Sequence, residues 1–177
     1  MNLSPERLAS QLDKPLAALY VVHGDAPLLA LEAGDALRAA ARRQGFDERE
    51  ILVSGPGFDW QALFASAGTL SLFGSRKLID LRIPNGKPGK EGGEALKQLA
   101  ERAPALAEDV ITLVTLPELD WAARKTAWFV ALGKHAAMVE CNAPPREQLP
   151  RWIAQRLSAQ QQSATPEALA FIADHVE

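Results

Sequence analysis

The chain has 177 residues, of which 47% are hydrophobic and 23% are charged, so it can bury a sizeable core and global disorder is excluded. Its net charge of −3 is not that of a general nucleic-acid binder, which needs a basic face to displace counterions from phosphates. The single cysteine, Cys141, excludes an internal disulfide framework and favours a reducing, cytoplasmic compartment. No apolar run is long enough to cross a bilayer, and no signal peptide is evident.

Short apolar runs alternate with helical patterns over the first 141 residues. Ser4 can cap a first helix with Pro5 in its first turn. The patterns after it predict five strands, over residues 17–22, 50–53, 77–83, 110–114 and 136–141. Helices are predicted between them, over 25–44, 60–67 and 94–103 and from Asp120 through Trp121 and Trp128, with a surface loop over 84–93. This alternation predicts an α/β fold with a five-stranded parallel sheet flanked by helices.

The pattern changes after Pro144-Pro145, where two helical patterns, over about 148–160 and from 166 onward, follow each other with no strand between them. We therefore predict an α/β domain over residues 1–143 and the beginning of a second, helical domain over 144–177. The last helical pattern is still running at Glu177, which indicates a truncated domain and a chain that is a piece of a longer protein.

The turn after the first long strand is where an α/β protein would cradle a phosphate, and it reads Gly24-Asp25-Ala26-Pro27. A P-loop needs several glycines, then Lys and Ser or Thr, and none of these features is present. Asp25 would place a negative charge where the phosphate sits. The dinucleotide pattern GxGxxG is also missing, and the third strand ends Arg82-Ile83-Pro84 without an acidic pair for magnesium. The sequence therefore predicts no nucleotide cofactor.

No catalytic residue and no metal site is predicted. His23 and Asp25 lie at the end of a strand, where catalytic residues are common, but a turn followed by a helix cap is the favoured interpretation. The histidines are too scattered for a ligand set. Cys141 is expected to be a small buried hydrophobe. Asp80 is expected to point out of an exposed edge or to pair with Arg82 or Lys77, not to accept a phosphoryl group.

Five basic residues cluster between residues 76 and 90: Arg76, Lys77, Arg82, Lys87 and Lys90. They are a possible nucleic-acid contact. The absence of stacking aromatic residues in this stretch favours the other interpretation, a solvated edge and loop.

The stretch 68–77 places Leu72 and Phe73 side by side between a helix and a strand. Such a pair either packs in a corner of the core or fills a pocket on another protein. Four stretches spread over most of the chain, in this order, resemble the delta subunit family of bacterial DNA polymerase III: Asp59-Trp60, Leu70-Ser71-Leu72-Phe73-Gly74-Ser75-Arg76, Ala127-Trp128-Phe129-Val130-Ala131-Leu132 and Gln148-Leu149-Pro150-Arg151-Trp152.

The resemblance implies an AAA+-like first domain that binds no nucleotide. It implies a non-catalytic clamp-loader subunit, part of a DNA polymerase holoenzyme (a nucleotidyltransferase), that binds the sliding clamp and opens its ring during DNA replication. The implied partners are the clamp (beta subunit), the gamma/tau and delta prime subunits, and DNA through the complex, with no membrane. The implied clamp-binding residues are Leu70, Ser71, Leu72 and Phe73, and Gly68 stands where clamp-binding peptides generally carry Gln.

Two alternatives from other classes stay open. One is a degenerate nucleotide-binding α/β enzyme that retains phosphate binding by another route and predicts measurable ATP or GTP binding. The other is a nucleic-acid-binding module that uses the basic residues between 76 and 90 and predicts salt-sensitive DNA binding.

Overall fold

The computed structural model describes residues 1–68 and 76–175, with the backbone alone for residues 67 and 68. The chain divides into two compact units, Met1–Asn142 and Ala143–Glu177. Within the described residues, no helix is both long enough and apolar enough to cross a membrane.

The first unit is built on one sheet in which every neighbouring pair of strands is parallel. Its strands are β1 (Asn2–Leu3), β2 (Leu19–His23), β3 (Glu48–Val53), β4 (Lys77–Arg82), β5 (Val110–Thr115) and β6 (Ala137–Glu140). They lie in the order β1-β6-β2-β5-β4-β3. The predicted α/β fold with a parallel sheet flanked by helices is confirmed.

The predicted number of five strands is wrong, because the described sheet has six. The additional strand is β1, in which Asn2 and Leu3 pair with Met138 and Val139 of β6. Two residues are too few to show a strand period in the sequence. Residues 2 and 3 become a strand only because β6, about 135 residues later in the chain, forms backbone hydrogen bonds with them.

The helices of the first unit are α1 (Pro5–Gln11), α2 (Pro27–Arg43), α3 (Trp60–Gly68), α4 (Gly89–Arg102), α5 (Trp121–Arg124) and α6 (Ala127–His135), with a 3₁₀ turn at Ala103–Leu106. The second unit has a 3₁₀ turn at Arg146–Gln148, followed by α7 (Leu149–Ala159) and α8 (Pro166–His175). The helix predicted from Asp120 is thus two helices. Trp128 is buried in α6, whereas Trp121 in α5 is 73% exposed.

The loop predicted over 84–93 is shorter than expected, because α4 begins at Gly89. Glycine disfavours helix, which is why the sequence pattern placed these residues in a loop. The glycines are needed by the packing. A Cβ on Gly92 would lie 2.3 Å from the Trp60 ring, and one on Gly93 would lie 3.2 Å from the Trp128 ring. The tryptophan rings therefore rest directly against the backbone of α4, and this packing offsets the poor helix propensity.

The two faces of the sheet are covered differently. In β4, Ile79 and Leu81 are fully buried and belong to the main core with residues of α3, α4 and α6. The alternate residues of β4, Leu78, Asp80 and Arg82, point to the opposite face. There Arg38 of α2 reaches Asp80. The sheet thus places a charged cluster under α2 and an apolar core under α3, α4 and α6.

Candidate functional site

The stretch between α3 and β4 contains the residues implied as clamp-binding, and Leu70, Ser71, Leu72 and Phe73 lie outside the described residues. The structure does describe both flanks of this stretch. Gly68, where clamp-binding peptides generally carry Gln, is the last residue of α3. The other flank begins with Arg76 and Lys77 at the start of β4.

A carboxylate of β3 joins the two flanks. Ser66, in the last turn of α3, donates its hydroxyl hydrogen to Glu50 Oε1 over 2.6 Å. Lys77 Nζ donates to Glu50 Oε2 over 3.3 Å and to the carbonyl oxygen of Ser66 over 3.4 Å. The Lys77 side chain is 14% exposed, so this ion pair is partly shielded from water. Glu50 therefore holds the end of α3 next to the start of β4.

Arg76 is held by a second set of contacts. Its Nε donates to the carbonyl oxygen of Glu108, and its Nη1 donates to that of Gln44, both over 2.6 Å. Its guanidinium lies 3.9 Å from the centre of the buried Phe46 ring. Charged hydrogen bonds and cation–π contact both favour a single side-chain position. The residue that directly precedes β4 is thus fixed from three sides.

The five basic residues predicted as a possible nucleic-acid contact do not lie together. Arg76 and Lys77 are at the amino end of β4, and Arg82 is at its carboxyl end, roughly 17–20 Å away for a strand of this length. Lys87 and Lys90 follow and are exposed. Because three of the five side chains already have protein partners, a nucleic-acid contact stays a prediction that chiefly concerns Lys87 and Lys90.

Asp80 is fully buried, and the expectation that it points out of an exposed edge is wrong. β4 lies between β3 and β5, so it is an interior strand. The carboxylate accepts hydrogen bonds from Arg38 Nε over 3.0 Å and from Arg49 Nη2 over 2.5 Å, and weaker ones from Arg82 over 3.3–3.4 Å. The expected pairing with Arg82 is present, whereas Lys77 pairs with Glu50 instead.

The electrostatics of Asp80 follow from these partners. Burial alone raises the pKa of its carboxyl group, because a charge is costly to remove from water. The hydrogen bonds from Arg82 and Arg49 and the charge and hydrogen bond of Arg38 outweigh burial and leave this pKa below its ordinary value. Asp80 is therefore an ionised structural group at neutral pH.

The turn after β2 is closed by contacts within the protein. The backbone N–H of Ala26 donates to the carbonyl oxygen of Cys141 over 3.0 Å, and Pro27 has no N–H. Gly24 has φ +148°, and a Cβ there would lie 2.1 Å from that same carbonyl oxygen. The Ala26 N–H is therefore already bonded within the protein and Pro27 supplies no donor, so neither of these two backbone positions can bind a phosphate. This geometry gives no support to the alternative of a nucleotide-binding enzyme.

Two residues with reactive side chains near this turn, His23 and Cys141, are buried. Cys141 is fully buried, and burial raises the pKa of its thiol to about 11, so it stays protonated at neutral pH. His23 is 4% exposed, and burial lowers its pKa. Its ring packs edge-on against Phe129. Among the described residues, no group of His, Cys, Asp or Glu is arranged to hold a metal ion.

A family model for the delta subunit of DNA polymerase III matches residues 20–142 of this chain. The chain belongs to the DNA polymerase III delta subunit family. It is 37% identical over 156 residues to DNA polymerase III subunit delta of Escherichia coli K12, covering 88% of this chain and 45% of that protein. It is 32% identical over 173 residues to the same subunit of Haemophilus influenzae, covering 95% of this chain and 48% of that protein. The chain thus spans about half the length of these curated relatives.

A solved structure supports the fold of this delta-family chain. The clamp loader delta protein of Bacillus subtilis is similar with a TM-score of 0.71 over 94% of this chain and 51% of that one, at 19% identity. At this identity the likeness concerns the fold, which is the AAA+-like α/β fold predicted from the family resemblance. The expectation that the first domain is AAA+-like is confirmed.

Sequence reasoning missed the contacts that anchor α3 and β4 to their neighbours. Glu50 and Ser66 are 16 residues apart, and Arg38 and Arg49 reach Asp80 from 42 and 31 residues away. No spacing rule joins residues at such distances. The sequence carries one signal of these contacts, which is the pair of neighbouring charges Arg49 and Glu50 at the start of a predicted strand. Neighbouring strand residues point to opposite faces of the sheet, so each of these charges needs its own partner.

Proposed function

We propose that this chain is the part of a clamp-loader subunit that binds the sliding clamp of DNA polymerase through Leu70, Ser71, Leu72 and Phe73 and opens the clamp ring during DNA replication. The single observation that carries the proposal is the match of the delta-subunit family model over residues 20–142, a range that includes this stretch. The adjacent leucine and phenylalanine supply the large apolar side chains that anchor many protein interfaces.

The anchored flanks favour this function. Ordering a flexible backbone costs about 1–2 kcal/mol per residue, and a binding stretch that is held in advance avoids part of that cost. Glu50 links the end of α3 to Lys77, and Arg76 is fixed against two carbonyl oxygens and the Phe46 ring. One attachment point of the stretch is therefore next to β4, and the other, the end of α3, is tied to the sheet through Glu50, which is the kind of support that a binding loop requires.

Ring opening requires more than tight binding. A ligand that binds open and closed clamp equally well shifts nothing, so this chain must contact the open form better than the closed one. The partners that we propose for it are the clamp itself, the gamma/tau and delta prime subunits, and DNA through the assembled complex. No catalytic step is assigned to this chain.

The test is calorimetric titration of the chain with the sliding clamp of the same organism. Replacing Leu72 and Phe73 together by alanine is expected to weaken binding by about thirtyfold or more, since one such anchor contributes about 2 kcal/mol. The matched control is Leu28→Ala with Phe171→Ala, which removes the same two side-chain types from positions that are 55% and 64% exposed.

Clamp affinity that is equal in the two double variants would overturn the proposal. A Leu72→Ala/Phe73→Ala variant that unfolds would place this pair in the core instead, and circular dichroism distinguishes that case. Ring opening is then measured separately, as the loss of fluorescence quenching between two dyes across one clamp interface.

A further inference from the structure

A cavity of about 540 Å³ lies at the carboxyl ends of β2, β4 and β5. The chain leaves β2 towards β3 at one edge of the sheet, and it leaves β5 towards β6 on the other side of β2. Parallel α/β sheets open a crevice where the connections diverge in this way, and ligands commonly bind there. The volume is in the range of small-molecule sites.

The walls of the cavity are mainly apolar. They are formed by α2 and by the turns that follow β4 and β5, with Ala30, Leu31, Ile83, Pro84, Leu116 and Pro117 among the lining residues. Leu31, which borders the cavity, is 57% exposed. A bound apolar body would remove this side chain from water.

The guanidinium group of Arg82 borders the cavity and has a hydrogen-bond donor available for a ligand. Arg82 uses Nε and Nη2 on Asp80 over 3.4 and 3.3 Å, which are long for charged hydrogen bonds. Its side chain is 41% exposed, and among the described residues its Nη1 has no partner. Arg38 also lines the cavity. Positive charge is therefore local to the side of the cavity that Arg82 and Arg38 form.

The remaining polar groups limit the charge that a ligand can carry. Asp25 and Glu118 also line the cavity and would repel a polyanion. The backbone N–H of Ala26 is donated to Cys141 and cannot serve a phosphate. The arrangement thus suits one negative charge next to Arg82 and an uncharged body elsewhere.

We propose that this cavity binds a small carboxylate with an apolar body, with the carboxylate on Arg82 and the body between α2 and the turns after β4 and β5. The site lies at the carboxyl end of β4, whereas the stretch proposed to bind the clamp precedes the amino end of that strand. The proposal of a ligand site therefore does not depend on clamp binding. Nucleoside triphosphates are expected to bind poorly here, because the two bordering carboxylates repel a polyanion.

The test is a titration of the whole ¹⁵N-labelled chain with 2-naphthoate, followed by ¹H–¹⁵N correlation spectra. Saturable shifts are expected for the backbone amides of Leu31, Thr115 and Leu116. The affinity for the neutral 2-naphthamide is expected to be lower by about tenfold or more, because this molecule lacks the charge that Arg82 recognises. ATP is expected to leave these amides unshifted.

Two variants and a control decide the outcome. Arg82→Gln is expected to weaken 2-naphthoate binding about tenfold, and Ala30→Phe, which leaves the arginines intact, is expected to block it. The matched control is Arg124→Gln, which removes an ion-paired arginine that is similarly exposed, at 37%, and should leave the affinity unchanged.

Shifts that are absent or scattered over the surface, or equal affinity in Arg82→Gln and Arg124→Gln, would overturn the proposal. The spectra of the free variants show whether each is folded.

Discussion

The two ends of β4 use positive charge in different ways. At the amino end, Arg76 and Lys77 donate hydrogen bonds to carbonyl oxygens and to Glu50. These contacts hold the flanks of the stretch that we propose binds the clamp. At the carboxyl end, Arg82 shares the single carboxylate of Asp80 with two other arginines and keeps a donor for the cavity. Positive residues therefore form structural contacts at the amino end of β4, whereas at its carboxyl end we propose that one of them contacts a ligand.

Removing the charge of Asp80 tests the carboxyl end and should have the largest effect. Asp80→Asn leaves three guanidiniums without their shared carboxylate, and breaking a buried ion pair on one side typically costs about 3–5 kcal/mol. We expect the free energy of unfolding, measured by urea denaturation, to fall by about 3 kcal/mol. Asp35→Asn, at the exposed partner of Arg38, should change it by less than about 1 kcal/mol. Equal losses in both variants would contradict the structural role of Asp80.

The same carboxylate should make stability depend on pH. The pKa of Asp80 is below its ordinary value in the folded protein, so its contribution is fully present above the unfolded pKa of about 3.9 and is lost as the pH falls through the folded pKa. We expect the difference in unfolding free energy between the wild type and Asp80→Asn to be constant above about pH 5 and to shrink below about pH 4. His23 and Glu140 also titrate, but their effects cancel in this difference. A difference that is flat down to pH 2 would refute the prediction.

Glu50→Gln tests the amino end. The variant keeps an oxygen for Ser66 but loses the charge that pairs with Lys77, so we expect a loss of unfolding free energy of about 1 kcal/mol or less. If the flanks hold the clamp-binding stretch in advance, clamp affinity should fall several-fold as well. Glu94→Gln is the matched control, because it removes an exposed pair with Lys97 and should leave clamp affinity unchanged. Equal affinities in the two variants would show that this tie does not organise the stretch.

The exposed lysines beyond β4 should have the smallest effect on stability. Lys87 and Lys90 are exposed, and among the described residues neither side chain forms a hydrogen bond or an ion pair, so we expect their replacement by alanine to change the unfolding free energy by no more than about 0.5 kcal/mol. DNA binding, measured by fluorescence anisotropy at low and high salt, decides whether they contact nucleic acid. A weaker, less salt-dependent interaction in the variant would support that contact. No difference would leave the basic stretch as a solvated loop.

Much of the fold could be predicted from local patterns. The strands β2 and β5 are nearly continuous apolar runs because helices cover both sides of a parallel sheet, and this shows in the sequence without any knowledge of contacts. The turn at Gly24-Asp25-Ala26-Pro27 could be recognised as a poor phosphate cradle from residue types alone. The family resemblance rested on short stretches in a fixed order, and the match over residues 20–142 confirms it.

Residue identity alone determined the alternation of strands and helices, the lack of a P-loop and the family, since each depends on neighbours along the chain. Tertiary structure decided the rest. It supplied a partner for the two-residue strand β1, placed Trp60 against Gly92 and buried Asp80 among arginines from α2 and β3. These features join residues dozens of positions apart. Whether a charge is a tie or a binding contact depends on which partners the fold brings within hydrogen-bond distance, and no local pattern contains that information.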